Sequence, residues 1–494
     1  MSAAYPPLPA ANPAAGATQT WRTWLLYATL ALMPLSFNVG YYLLASKKAL
    51  YLSPLDPLLV PLLLLLVWDL FRGRVPHWMI PVPNAVWAAW ALLSLAWVTG
   101  GSLEAWGKSA LLQTTAIGLC AVWVFTHAAT GAAAYRRLTL VLGASIGCCL
   151  LYALYQYSMP PGVPLPSGET GRFHGGGVTN VRLAGWYEYR GILAAQVAMF
   201  VPACVAFAAL ERDPALRVGA GALAALGLCV CMSGGGVIAA CAGTLAVAGA
   251  LLVSGKKGEA GASEASPASR GGIALDEVWK GWGAARLAGL IVASLLFFCL
   301  VVLPRLPRDH PTALRDSLSL YAQTQDGEGR TIDLPSARLR RYQAELNFLG
   351  HKEHWKKGAG AGQFQPALDP YFKPAYPKPG ARTDDEAAFG LRANEPMTFG
   401  LYETTAVELG VVGLVALTWL FCTWIAAALS AFLRADPADA AARALALASL
   451  GACVGAAVFA VFGSPLVRGV GGTFAFFMGV ALALQRQKTE TRPY

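Results

Sequence analysis

The segment TAVELGVVGLVALTWLFCTWIAAALSAF, residues 405–432, carries a single charged side chain, Glu408, in an otherwise uncharged and mostly apolar run. A helix needs about 20 such residues to cross a bilayer, so this run is a spanning helix with length to spare. Eleven further runs read the same way, at 23–45, 55–71, 83–99, 109–128, 137–158, 189–210, 216–233, 235–254, 286–304, 442–462 and 469–485. The expected architecture is an all-α polytopic membrane protein of about 12 spans.

Composition points the same way. Of 494 residues, 56% are hydrophobic and 13% charged, with a mean hydropathy of +0.48. A soluble domain carries roughly 25% charged residues. The shortfall excludes a secreted disulfide scaffold, a disordered chain and an ordinary cytosolic enzyme. The 52 glycines suit helices that approach one another closely. All ten cysteines fall inside apolar runs, where thiols pack as small hydrophobes; neither a disulfide framework nor a zinc site is expected. The net charge of +10 is not arranged as a basic surface interleaved with aromatics, so nucleic acid is not an expected partner.

Loop charges set the orientation, because Lys and Arg concentrate on the cytoplasmic side. With the N-terminus inside, the inside segments hold 17 Lys and Arg, the short outside segments seven, and the long segment 305–398 the remaining 14 of 38. Both termini are then cytoplasmic. Residues 1–22 read as a flexible tail without the basic n-region of a signal peptide, and 486–494 as a second tail. Residues 255–285 read as a Gly/Ala/Ser-rich cytoplasmic linker, and 305–398 as a large periplasmic loop between spans nine and ten.

Three clusters could carry chemistry. SGETGRFHGGGVTNVRLAGWYEYRG, between spans five and six, places Arg172, His174, Arg182, Glu188 and Arg190 near the outer boundary. Arginine stays charged and presents a planar fork suited to phosphate oxygens, and the GGG at 175–177 could turn N–H groups toward an anion. These arginines could equally snorkel to lipid headgroups around a plain turn. In the long loop, LPSARLRRYQAELNFLGHKEHWKKGAGAGQF predicts a helix over 337–350, capped by Ser336, with Leu339, Tyr342, Leu346 and Leu349 as its apolar face. Arg338 and Arg341 lie on that helix and His351 and His354 follow it. The histidines lack the companions of a metal site; proton transfer suits them better, and a solvated turn is the plainer alternative. In the third cluster, Glu395, Glu403 and Glu408 approach and then enter the tenth span. A carboxylate inside a membrane helix is costly, so it is functional or is paired with an arginine or backbone group.

Three stretches resemble the O-antigen ligase and polymerase superfamily of bacterial envelope glycan enzymes. RFHGGGVTNVRLAGWYEY is similar to the family's Arg/Gly segment. The loop helix followed by Gly358, Gly360, Gly362 and Phe364 is similar to its G-x-G-x-G-x-F turn. FGLYETTAVELGVVG is similar to its His-Asn segment, with Gly410 and Gly413 in place. Phe399 and Gly400 stand where the family has His-Asn, and Gly234 where it has an arginine before the eighth span. The resemblance implies metal-independent glycosyl transfer at the periplasmic face of the inner membrane, without a cofactor. The donor would be an undecaprenyl-diphosphate-linked glycan and the acceptor a hydroxyl on a lipid-linked or other glycan, as in lipopolysaccharide or exopolysaccharide biosynthesis. It assigns the diphosphate to Arg172, Arg182, Arg190, Arg338 and Arg341. With the family histidine missing, the available bases are Glu403, Glu395, His351 and His354, Glu403 first. Ligase and polymerase are not separated by the sequence. The rival readings are a non-catalytic scaffold of a polysaccharide assembly complex and a twelve-span transporter, although no internal repeat accompanies the latter.

Overall fold

The computed structural model describes residues 13–35, 82–98, 132–158, 190–231, 233–262, 337–351, 354–371, 400–466 and 468–490. It also describes residues 174–175, 178–179, 321–325 and 331–335, and single positions at 58, 61, 64, 65, 68, 71, 106 and 107. The described chain is a helical membrane protein. Its main helices are α1 (Pro13–Leu32), α2 (Val82–Leu93, continued by a tight turn Ser94–Trp97), α3 (Ala132–Ser158), α4 (Arg190–Leu210) and α5 (Pro214–Val230). They continue with α6 (Gly234–Ala262), α7 (Ala337–Leu349), α8 (Leu401–Arg434), α9 (Ala440–Phe459) and α10 (Arg468–Glu490). Two short antiparallel hairpins interrupt the helices. One pairs His174 with Thr179 and Gly175 with Val178; the other runs from Tyr321–Pro335 to Gln325–Thr331.

Five segments are long and apolar enough to cross a membrane: Ala132–Tyr155, Gly191–Leu210, Gly234–Ser254, Leu401–Arg434 and Ala440–Phe459. Shorter apolar helices stand at Thr23–Leu32, Val82–Trp97, Pro214–Val230 and Val470–Gln485. Several expected boundaries move. Residues 13–22, read as tail, are helical, as the alanine-rich sequence behind Pro13 permits. That helix ends at Leu32, well short of residue 45. Helix α6 continues to Ala262, eight residues into the expected linker, and α10 reaches Glu490, into the expected tail. The expected spans at 109–128 and 286–304 lie outside the described residues.

Helix α4 is the hub of the bundle, enclosed by α5, α6 and α9, so that nearly all of Gly191–Leu210 is buried. Small residues make this possible. A Cβ at Gly455 of α9 would overlap the carbonyl of Ala198, and one at Gly451 would sit 2.7 Å from the Pro202 ring of α4. Glycines one turn apart thus bring the α9 backbone onto α4, as close membrane packing requires. Buried polar groups add ties: Trp424 Nε1 of α8 donates to Asn84 Oδ1 of α2 at 3.1 Å, and Thr473 Oγ1 of α10 donates to Gln196 Oε1 of α4 at 3.1 Å.

The end of the bundle where α4 meets α5 is polar. Asp213 caps α5 by accepting from the N–H groups of Ala215 and Leu216, with Pro214 in the first turn. Arg136 of α3 binds Glu211 at 2.8 Å. Burial raises the Glu211 carboxyl, but Arg136 and the N–H groups of Asp213 and Arg212 together outweigh it and hold the group below the usual carboxylate range.

Candidate functional site

At the opposite end of α4, the long helix α8 is broken. Gly410 has φ 66° and ψ −165° inside an otherwise helical run. A break of this kind strands the carbonyls just before it, which a membrane helix cannot leave unpaired. Here they are taken up from outside the helix. Val407 O accepts from Ala359 N at 2.9 Å, Glu408 O from Gly360 N at 2.7 Å, and Leu409 O from Trp90 Nε1 at 2.9 Å.

The donors come from the glycine-rich turn of the long loop and from α2. Gly358, Gly360 and Gly362 all have positive φ, at 69°, 101° and 76°, a region that costs other residues. Ser94 Oγ accepts from Ala361 N at 3.0 Å and donates to Ala91 O at 2.6 Å, and Trp97 Nε1 donates to Lys357 O at 3.1 Å. The G-x-G-x-G-x-F pattern is therefore a backbone splint for α8. Phe364 closes it from beneath, buried with Phe348, Ala359, Leu368 and Val407.

Glu408 belongs to this splint. Its side chain is buried and accepts from Phe364 N at 3.2 Å and from the N–H of Gly362, at the start of the helical turn Phe364–Leu368. The carboxylate inside the apolar run is thus matched to backbone donors, the backbone pairing being one of the two structural explanations open from sequence.

Above the splint, α7 lies against the first turn of α8. Its buried face is Ala344, Glu345 and Phe348, with the partly buried Arg341 alongside them at the start, spaced i, i+3, i+4 and i+7 from Arg341. The expected apolar face is wrong at its centre, since Leu346 is 70% exposed. Leu339, Tyr342 and Leu349 are partly buried, and Leu349 packs against the buried Phe348 cluster, while Arg341 Nη2 binds Glu403 Oε2 of α8 at 2.9 Å. Arg341 Nε also lies 3.3 Å from Glu345 Oε1, too poorly aligned for a hydrogen bond. The three side chains are only 12%, 9% and 14% exposed for Arg341, Glu345 and Glu403. Burial, and then the neighbouring Glu403 carboxylate, push the Glu345 carboxyl up to about 8 against the pull of Arg341. Glu403 also gains from its place in the first turn of α8.

Of the residues expected to act, Arg341 and Glu403 are brought together. Arg338 lies on α7 one turn ahead of Arg341, and Arg190 is the first residue of α4; both side chains fall outside the described residues. Arg172, Arg182 and Glu395 also lie outside them. His351 is exposed beyond the end of α7, edge-on to Tyr371 with ring centres 6.0 Å apart. His354 stacks on Phe348 at 4.5 Å. Glu345 went unnoticed in the sequence, though its place four residues after Arg341 was a usable signal.

The first turn of α8 docks on the end of α9. Leu401 N donates to Gly463 O at 3.3 Å, Tyr402 N to Ala460 O at 3.4 Å, and Tyr402 Oη to Ala457 O at 3.2 Å. A Cβ at Gly400 would lie 2.6 Å from the Val461 carbonyl, so this junction is closed to larger residues. Compared with known proteins, the chain matches no family model and no curated protein.

Proposed function

We propose that the chain is a glycosyltransferase of the bacterial inner membrane, moving or polymerising an undecaprenyl-diphosphate-linked glycan onto an acceptor at the periplasmic face. In this reading it has about twelve spans, both termini in the cytoplasm and residues 305–398 in the periplasm, as the O-antigen ligase and polymerase superfamily it resembles would have. The observation that carries the proposal is the Arg341–Glu403 pair, 2.9 Å apart where the loop helix meets the first turn of an apolar helix. Glycosyl transfer from a lipid diphosphate needs a base for the acceptor hydroxyl and a cation for the departing diphosphate. Glu403 fills the first role and Arg341 the second, with Arg338, Arg172, Arg182 and Arg190 as further cations.

The lipid-linked substrates place the reaction at the membrane surface, where α7 and α8 meet. The glycine splint keeps α7 and α8 in fixed register, so that base and cation are presented together. Gly400 stands where the family has asparagine, and a Cβ there would lie 2.6 Å from the Val461 carbonyl, so a side chain at this position would need the junction to shift.

Deletion of the gene followed by profiling of surface glycans is the test, with Arg341→Ala and Glu403→Gln as complementing variants checked for membrane insertion. Loss of a glycan on deletion, unrestored by either variant, is the expected result. Unchanged glycans on deletion overturn the transferase reading. Full restoration by both variants favours the scaffold instead.

A further inference from the structure

Arg341 and Glu403 cannot do their two jobs while bound to each other. At 2.9 Å and nearly buried, Nη2 of the guanidinium is held by the carboxylate, and Oε2 of the carboxylate is held by the guanidinium. Building on the transferase reading above, we propose that Glu403 gates the diphosphate site: by taking the acceptor's proton it drops its ion pair with Arg341 and hands the guanidinium to the leaving diphosphate.

The step balances. The acceptor O–H bond breaks and its proton goes to Glu403 Oε2. The oxygen's electron pair forms the bond to the anomeric carbon, and the bond from that carbon to the diphosphate oxygen breaks with its electrons on the diphosphate. One negative charge disappears from Glu403 as one appears on the leaving group, and Arg341 follows it. The cation therefore becomes available as the charge it serves develops, which is where stabilisation accelerates a reaction.

Glu345 makes the handover workable as a positioning residue. It lies four residues from Arg341 on α7, with Oε1 3.3 Å from Nε, on a different nitrogen from the one Glu403 holds. Burial, and then the neighbouring Glu403, raise its carboxyl, which favours the neutral form and weakens it as a competing anion. Its place beside Nε limits where the guanidinium can move while the outer nitrogen changes partner.

The full chain, purified in detergent, is titrated with farnesyl diphosphate, a soluble isoprenyl diphosphate. Glu403→Gln removes the competing charge and is expected to bind about tenfold tighter than the unaltered chain, a change of about 1.4 kcal/mol. Arg341→Ala is expected to bind about tenfold weaker, and the double variant no tighter than Arg341→Ala. Adding Glu345→Ala to Glu403→Gln reduces the gain, and Glu345→Gln in its place restores it. Glu403→Ala, with the same loss of charge, substitutes if the glutamine variant does not fold. Equal or weaker binding by both Glu403 variants, or a gain that persists without Arg341, overturns the gate. That failure is distinct from failure of the transferase reading, which is read from surface glycans on deletion and not from this titration.

Discussion

Gly358 and Gly410 face each other across the joint between loop and membrane helix, and neither has room for a side chain. A Cβ on Gly358 would overlap the Glu408 carbonyl, and one on Gly410 would overlap the Lys356 carbonyl. Both residues also have positive φ. Alanine at either position meets two penalties together, a left-handed backbone and a backbone collision. The expected loss is about 2–4 kcal/mol for each, read as a fall in the melting temperature of the purified protein. Gly219, whose Cβ would meet nothing within 4 Å, is the control and should tolerate alanine with little change.

Replacing Glu408 by leucine keeps the apolar character of α8 but leaves the N–H groups of Gly362 and Phe364 without their acceptor. The expected cost is about 2–3 kcal/mol, with faster hydrogen exchange at those two amides. Glutamine retains one acceptor oxygen and should lose about 1 kcal/mol. Equal stability of the leucine variant and the unaltered chain would remove Glu408 from the splint.

Glu345 ties stability to pH with a definite sign. Its carboxyl is raised from 4.5 to about 8 in the folded protein. Between these values the folded chain holds a proton that the unfolded chain releases. The contribution of this group is therefore complete at acid pH, declines as pH rises through neutrality, and levels off above about 8. Glu345→Gln mimics the protonated form, so the difference in melting temperature between variant and parent should widen in its favour from pH 5 to pH 9. A constant difference would contradict this.

Arg136 and Glu211 give the opposite slope at the other end of the bundle. Glu211 is held below the usual range, so its contribution is present above the unfolded pKa and lost as pH falls through the folded one. Arg136→Ala leaves a buried carboxylate without its cation and should cost about 1–3 kcal/mol at pH 7, less at pH 4. Thermal melts of the two proteins at both pH values measure the effect.

Much of the bundle was legible in the sequence because length and apolarity are properties of a segment by itself. The runs containing Cys149, Pro202, Val247, Trp424 and Cys453 all form helices long enough to span. Arg341 and Glu403 were legible as a cation and a base, but not as partners, since 62 residues separate them. The break at Gly410 was hidden for a similar reason. VELGVVGLV reads as continuous helix, and what allows it to part there is a set of donors from Ala359, Gly360 and Trp90. The face of α7 was misread only at Leu346, which is exposed; the buried polar Arg341–Glu345 pair beside Glu403 was not legible as part of that face. Glu345 was missed with it.

The splint also has a bearing on the order in which the chain is assembled. Trp90 and Ser94 are synthesised first, the glycine turn next, and α8 last. Every donor that α8 requires at its break has left the ribosome before α8 itself emerges. The dependence runs both ways: a chain truncated before residue 400 would leave the N–H groups of Ala359 and Gly360 without the acceptors that α8 supplies.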